Sequence, residues 1–353
     1  MSPRPGRNRP LIPRVASAAG ARGGRRERGI ALLVVLLIIA VVGTLSIETQ
    51  YSTRIDAQIA ANVALDTQFY YLAKSGVEAA RSLLSVDGRD TQIDTTTETW
   101  AAPIAYPIDE AIVSLSIVDE ERKFPLNFLY QPPKPPPPGL PAGQPPPPPN
   151  TFDPTLYPAF QTLLRNAKAP PEIAAALVDW LDPDDDPLNS DGAEINIYER
   201  LKPPYHTKNG PLSTLEELRM VRGFDAQVFQ AIADLVTPYS TGTINFNTAP
   251  REVLAAMLPD LSSANLDELL QYRILTPFNS PKEVSDYVNG FVKTDPSILK
   301  YFGVASSYFT IDSTASLLPS SDDGAPQAEN LKVLHAVVQR TGSNTTLKYW
   351  RAT

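Results

Sequence analysis

The sequence predicts an α+β protein, a long amino-terminal helix packed on a small antiparallel sheet, with a large all-helical insertion splitting that sheet. Three observations carry this. An uncharged apolar run, Ile30 to Ile47, leads into residues whose apolar positions recur every three to four. Strand-like alternation appears near 111–118 and again between 308 and 351, on either side of residues 154–300, which read as helices with short connectors.

The charge distribution orients the chain. Of the 353 residues, the first 29 hold arginines at 4, 7, 9, 14, 22, 25, 26 and 28 against the single acid Glu27, whereas the whole chain carries a net charge of -8. A basic start, an apolar run and an acidic body follow the positive-inside pattern of a membrane-anchored chain. The chain has no cysteine, which rules out disulfides and thiolate metal sites.

The run IALLVVLLIIAVVGTLSI has eighteen residues and no charge. As a helix it measures about 27 Å, close to the ~30 Å of a hydrocarbon core. An ordinary signal peptide would end in a small-residue cleavage site, which Ser46-Ile47-Glu48-Thr49-Gln50 does not offer. The helix then continues in amphipathic form through Ile55, Ile59, Val63, Tyr70, Ala73, Val77, Ala80 and Leu84. Ala111–Val118 reads as a half-buried strand, as do Tyr308–Asp312, Leu331–Arg340 and Thr346–Arg351. Twelve prolines fall between Gln131 and Pro149, giving an extended spacer.

Inside the helical insertion, Leu215-Glu216-Glu217-Leu218 precedes Val221-Arg222-Gly223. Ile244-Asn245-Phe246-Asn247-Thr248-Ala249 precedes Glu252-Val253-Leu254. Thr248 is expected to cap the following helix, with Pro250 in its first turn. Residues 170–300 are strongly acidic, which opposes a polyanion such as DNA. The segment from Trp180 to Glu194 places six carboxylates in thirteen residues. Asp182, Asp184 and Asp186 alternate as hard oxygen ligands do in loops; Asp191-Gly192 makes a turn, and Glu194 can close a shell. The EF-hand spacing is not met, and a solvated acidic turn after a helix explains the spacing equally well. His206 and His335 sit in a loop and a strand, and no nucleophile elbow, P-loop or H-E-x-x-H motif occurs, so no enzyme is expected.

Arg28-Gly29-Ile30-Ala31-Leu32 resembles the type IV prepilin cleavage motif, cut after Gly29 so that Ile30 becomes an amino terminus open to methylation. Val34 stands at the fifth mature position, where most pilin-like subunits have glutamate; a buried carboxylate there needs a partner amine, which a tip subunit lacks. Asp119-Glu120-Glu121-Arg122-Lys123-Phe124-Pro125-Leu126-Asn127 resembles a K-type segment, with Arg122 and Pro125 departing from it. Trp180, Asp182, Asp184, Gly192, Ala193, Glu194 and Tyr198 match another.

Over residues 25–353 the chain therefore resembles the minor pseudopilin K family of type II secretion. The resemblance implies a pilin-like sheet with a SAM-like or helix-hairpin-helix-like insertion, and calcium near Asp182, Asp184, Asp186, Asp191 and Glu194. It also implies I-type and J-type minor pseudopilins, other pseudopilins, a prepilin peptidase and the inner-membrane assembly platform as partners, with no nucleic acid. The bulk of the chain would lie in the periplasm. The alternative is a type IV pilus accessory or DNA-uptake subunit. The expected segments are a leader (1–29), a membrane and amphipathic spine (30–86) and the first part of the pilin-like domain (87–130). A proline-rich linker (131–150), the helical insertion (151–300) and the closing strands (301–353) follow.

Overall fold

A computed structural model of the chain describes residues 24–132, 152–318 and 331–353. The basic stretch up to residue 23 and nearly all of the proline tract lie outside the described residues. The first helix, α1, runs Gly24–Asp90, four residues past the expected end of the spine. The chain divides into two units, residues 1–64 and 65–353.

In the first unit, every described side chain from Ile30 to Ala64 is exposed except at Gly43. A helix bare and apolar on all sides needs lipid or other helices around it. The hydroxyls of Thr44, Thr49 and Thr53 donate to the helix's own carbonyls at Val41, Leu45 and Thr49.

In the second unit, Phe69, Ala73, Val77, Ala80 and Leu84 form the buried stripe of α1. They pack on one face of a five-stranded antiparallel sheet ordered β1-β2-β7-β8-β9. Its strands are β1 (Ile104–Ile108), β2 (Ala111–Asp119), β7 (Tyr308–Leu317), β8 (Leu331–Thr341) and β9 (Asn344–Ala352). Alternation places Val113, Leu115 and Ile117 of β2, with Phe309 and Ile311 of β7, beneath the helix. Strand β1 carries Pro107, which weakens the strand pattern in sequence; the structure tolerates it because β1 is an edge strand.

The helical lobe lies between β2 and β7 in sequence. Its helices are α2 (Leu156–Asn166), α3 (Ala174–Leu181), α4 (Ile195–Tyr198), α5 (Ala226–Ile232), α6 (Arg251–Met257), α7 (Ser263–Leu275), α8 (Pro281–Phe291) and α9 (Pro296–Leu299). Asp225, Ser262 and Ser280 cap α5, α7 and α8 with their side chains. The Leu215–Met220 segment forms a 3-10 helix. Two short parallel pairs tie the lobe's connectors: β3 (Phe124–Pro125) with β4 (Val236–Thr237), and β5 (Ile244–Asn245) with β6 (Phe302–Gly303).

The structure corrects two expectations. Phe124, Leu126 and Leu129, expected with the sheet domain, belong to the core of the helical lobe, where Phe124 stacks on Phe160 at 5.4 Å. The chain crosses into that lobe at Phe124, before the proline tract, whose ends meet through a bridge between Tyr130 and Phe152. Thr248 does not cap α6: its hydroxyl donates to Asp119 Oδ2 at 2.5 Å, and Pro250 occupies the N-cap position instead.

Candidate functional site

The acidic loop starts where α3 stops. Apolar residues of α3 bury the whole helix, and Asp182, at its C-cap, breaks into extended backbone. The next buried acid arrives at Glu194, which precedes α4. Carboxylate oxygens of Asp182, Asp184 and Glu194 lie within 4.8 Å of one another. Asp182 and Glu194 are each only 1 % exposed.

A residue the sequence did not single out shapes this loop. Asp179, on α3 and fully buried, accepts from the backbone N–H groups of Leu188 at 2.9 Å and Ala193 at 2.6 Å. It thereby folds the loop back over the helix that starts it. A Cβ at residue 192 would sit 2.2 Å from Asp179 Oδ2, so Gly192 is needed for close approach to that carboxylate rather than for a turn alone. The only signal for Asp179 in the sequence was an acid on the apolar face of a helix. Arg222 donates to the Gly192 carbonyl, and its backbone N–H donates to the Tyr198 hydroxyl.

Asp186 and Asp191 stay exposed and do not join the cluster. Their backbone N–H groups donate to Asp184 Oδ1 and Asn189 Oδ1, so these two acids shape the turn around the ligand candidates.

The electrostatics of the core pair are unfavourable without a cation. Both oxygens of Asp182 and both of Glu194 are buried and have no hydrogen-bond donor. Burial, helped by the neighbouring acids Asp184 and Asp179, pushes the Asp182 carboxyl up to about 7. Burial and the Asp179 and Asp182 charges push Glu194 up to about 8. Unpaired buried carboxylates cost several kcal/mol unless protonated or met by a cation. The donor set fits a hard divalent cation, which takes oxygen ligands.

The second acidic cluster differs. Asp87, Asp94 and Glu98 also converge, but Arg340 already supplies their cation, donating to Asp87 at 2.6 Å and to both Asp94 oxygens at 2.6 Å. Glu98 accepts from Trp100 Nε1 at 2.7 Å. This is a structural ion-pair network.

Two family models described as "Type II secretion system (T2SS), protein K" match residues 123–241 and 244–295. A type II secretion system protein K from Klebsiella pneumoniae is 32% identical over 271 residues, covering 72% of this chain and 78% of the relative. The chain belongs to the type II secretion system protein K family. The Aeromonas hydrophila protein K is 28% identical over 299 residues, covering 81% of this chain and 87% of its own. A chain in the crystal structure of the GspK-GspI-GspJ complex from enterotoxigenic Escherichia coli shares the fold, with a TM-score of 0.65 at 20% identity. It covers 85% of this chain and 99% of its own.

The residues that resemble the prepilin cleavage motif lie in α1. Gly29 and Ile30 fall in its first two turns, and Ile30 begins the candidate membrane span. Val34 is half exposed and lies among apolar neighbours, with no charge from Ile30 to Ile47. Family membership favours a pseudopilin over the DNA-uptake alternative.

Proposed function

We propose that this chain is the subunit that caps or initiates the pseudopilus, together with I-type and J-type minor pseudopilins. It is held in the bacterial inner membrane by residues 30–47 and exposes its sheet and helical lobe to the periplasm. The observation that carries the reading is a helical lobe inserted between β2 and β7 of a small sheet, on a spine whose apolar first half is bare. Such a lobe is bulk that a repeating filament subunit would have to accommodate at every step, and a terminal subunit need not.

Val34 supports the terminal position, because an apolar residue needs no amine from a subunit above it. Prepilin peptidase cuts after Gly29, leaving Ile30 as the methylated end, and the inner-membrane platform extracts the processed chain. Calcium is held by Asp182, Asp184 and Glu194 as a brace for the loop between α3 and α4. It neutralises two buried acids and supplies no chemistry.

Mass spectrometry of the intact chain recovered from membranes tests the processing step. The expected species begins at Ile30 and is one methyl group heavier than its sequence. A chain still carrying its basic leader, or cut after Ile47, contradicts the reading.

A further inference from the structure

The two edges of the five-stranded sheet differ in length and in chemistry. Strand β1 is five residues long and carries Pro107, which removes a donor from that edge. Strand β9 is nine residues long, has no proline and, among the described residues, pairs only with β8. Thr346, Leu347, Lys348, Arg351 and Ala352 are all exposed on it.

The backbone of β9 offers a row of unused groups. Val333 and Thr353 exchange both of their N–H···O=C bonds, each at 3.0 Å. In an antiparallel pair such residues alternate with residues that face away. Arg351 and Tyr349, opposite His335 and Val337, therefore turn towards β8, and Trp350 and Ala352 turn their N–H and C=O groups outward. Before the register shift between Val337 and Val338, the outward row is marked by Thr345, whose carbonyl accepts from Arg81 Nη2 at 2.9 Å. Leu347, two residues on, faces outward in the same way.

The charge on this edge is unlike the rest of the chain. Residues 331–353 hold Lys332, Arg340, Lys348 and Arg351 and no acid, in a chain of net charge -8. Arg340 is paired with Asp87 and Asp94, and Lys332 with Asp66. Lys348 is the residue left over at the register shift and has no ion-pair partner among the described residues. Arg351 reaches Glu216 at 3.4 Å with both side chains half exposed, a contact worth little in water. Leu347 and Trp350 lie on the other face, opposite Val338 and Ala336, which are buried beneath α1.

An open edge is a template for a further strand, and lysine on it opposes pairing with a like edge. Two copies of β9 side by side would set Lys348 and Arg351 of each against the other. A strand bearing carboxylates gains where a second copy loses, because opposite charges across a strand pair attract.

We infer that β9 is a docking edge for an extended acidic segment of another protein. That segment adds a strand to the sheet through main-chain hydrogen bonds to Leu347, Trp350 and Ala352. It sets carboxylates beside Lys348 and Arg351 and apolar side chains beside Leu347 and Trp350. The inference goes beyond a place at the pseudopilus tip and does not depend on it.

The test uses the full chain in an uncharged detergent and a fluorescent peptide of alternating valine and glutamate, as long as β9. Fluorescence anisotropy measures its binding beside that of the same peptide with lysine for glutamate, and of an N-methylated acidic peptide. The acidic peptide should bind about tenfold or more tighter than the lysine peptide. N-methylation should abolish binding, and hydrogen exchange across 347–352 should slow when the unmodified acidic peptide is added. Lys348→Glu and Arg351→Glu together, both at exposed positions, should reverse the preference towards the lysine peptide. A parent that does not bind the acidic peptide, or a variant that keeps the parent's preference, overturns the inference. Binding that survives N-methylation, or exchange that stays unchanged, overturns it as well, since charge alone would then hold the peptide.

Discussion

Asp119 closes β2 and accepts from Asn245 Nδ2, Thr248 Oγ1 and Ser306 Oγ, so one carboxylate joins the sheet, the helical lobe and the connector leading into β7. Glu120 and Glu121, next in sequence, are buried as well. Glu120 accepts from Thr237 and Thr310, while Glu121 accepts from Thr241 and from the Ser307 backbone. Burial, against the pull of its hydroxyl donors, raises the Asp119 carboxyl to about 6 from a model-compound value of 3.8. A group held more strongly protonated in the folded state stabilises the fold at low pH and loses that contribution as pH rises through its folded value. Measured against Asp119→Asn by denaturant unfolding in chelator, the parent should therefore lose stability between pH 3.8 and about 6, with a constant difference above. A difference that does not change with pH would show that Asp119 has the same proton affinity in the folded and unfolded states. The run Asp119-Glu120-Glu121 was visible in sequence as part of a K-type segment, but its burial was not. Acidic runs are ordinarily solvated, and only the distant partners at 245, 248 and 306 reveal this one as a joint. Asp179 was missed for the same reason, since its role depends on contacts that sequence spacing does not encode.

At the scale of elements, α1 illustrates what periodicity does and does not convey. The stripe of Ala73, Val77, Ala80 and Leu84 was legible because three-to-four spacing maps directly onto one helix face. The position of Gly76 was not. A Cβ there would meet Ser313 Oγ at 2.3 Å, Leu115 Cδ2 at 2.7 Å and Val113 Cγ1 at 2.9 Å, so glycine lets the helix lie directly against β2 and β7. Gly76→Val should destabilise the folded chain by about 3 kcal/mol or more, because neither the helix nor the strands can shift without opening the core. Chemical denaturation checks this; a change below 1 kcal/mol, taken as roughly the scale of a surface substitution, would mean that the helix is not seated on the sheet as described. The strands β2, β7, β8 and β9 were legible from alternation, whereas β1 was hidden by Pro107 and by its short length. The helical lobe was legible as a series of helices with short connectors. The Leu215–Met220 turn was not resolved as a 3-10 helix, because helical spacing over six residues does not separate the two forms.

At the scale of the molecule, two hydrophobic cores divide the second unit. One lies between α1 and the sheet, and the other runs from Phe124 through the helical lobe to Val304. The order of spine, strands, helical insertion and strands could be read from the sequence because each segment has its own periodicity. The point at which the chain leaves the sheet could not, since Phe124 to Leu129 carries no period and its place is decided by packing on Phe160 and its neighbours. In the function proposed above, this chain acts in a pseudopilus tip with I-type and J-type partners. Its most direct test is to tag the full-length chain at its carboxyl terminus in its own bacterium, extract the membranes in mild detergent, and identify by mass spectrometry what co-purifies. The I-type and J-type minor pseudopilins should co-purify in amounts comparable to the tagged chain. Recovery of the chain without either of them, or with DNA-uptake components in their place, would contradict it.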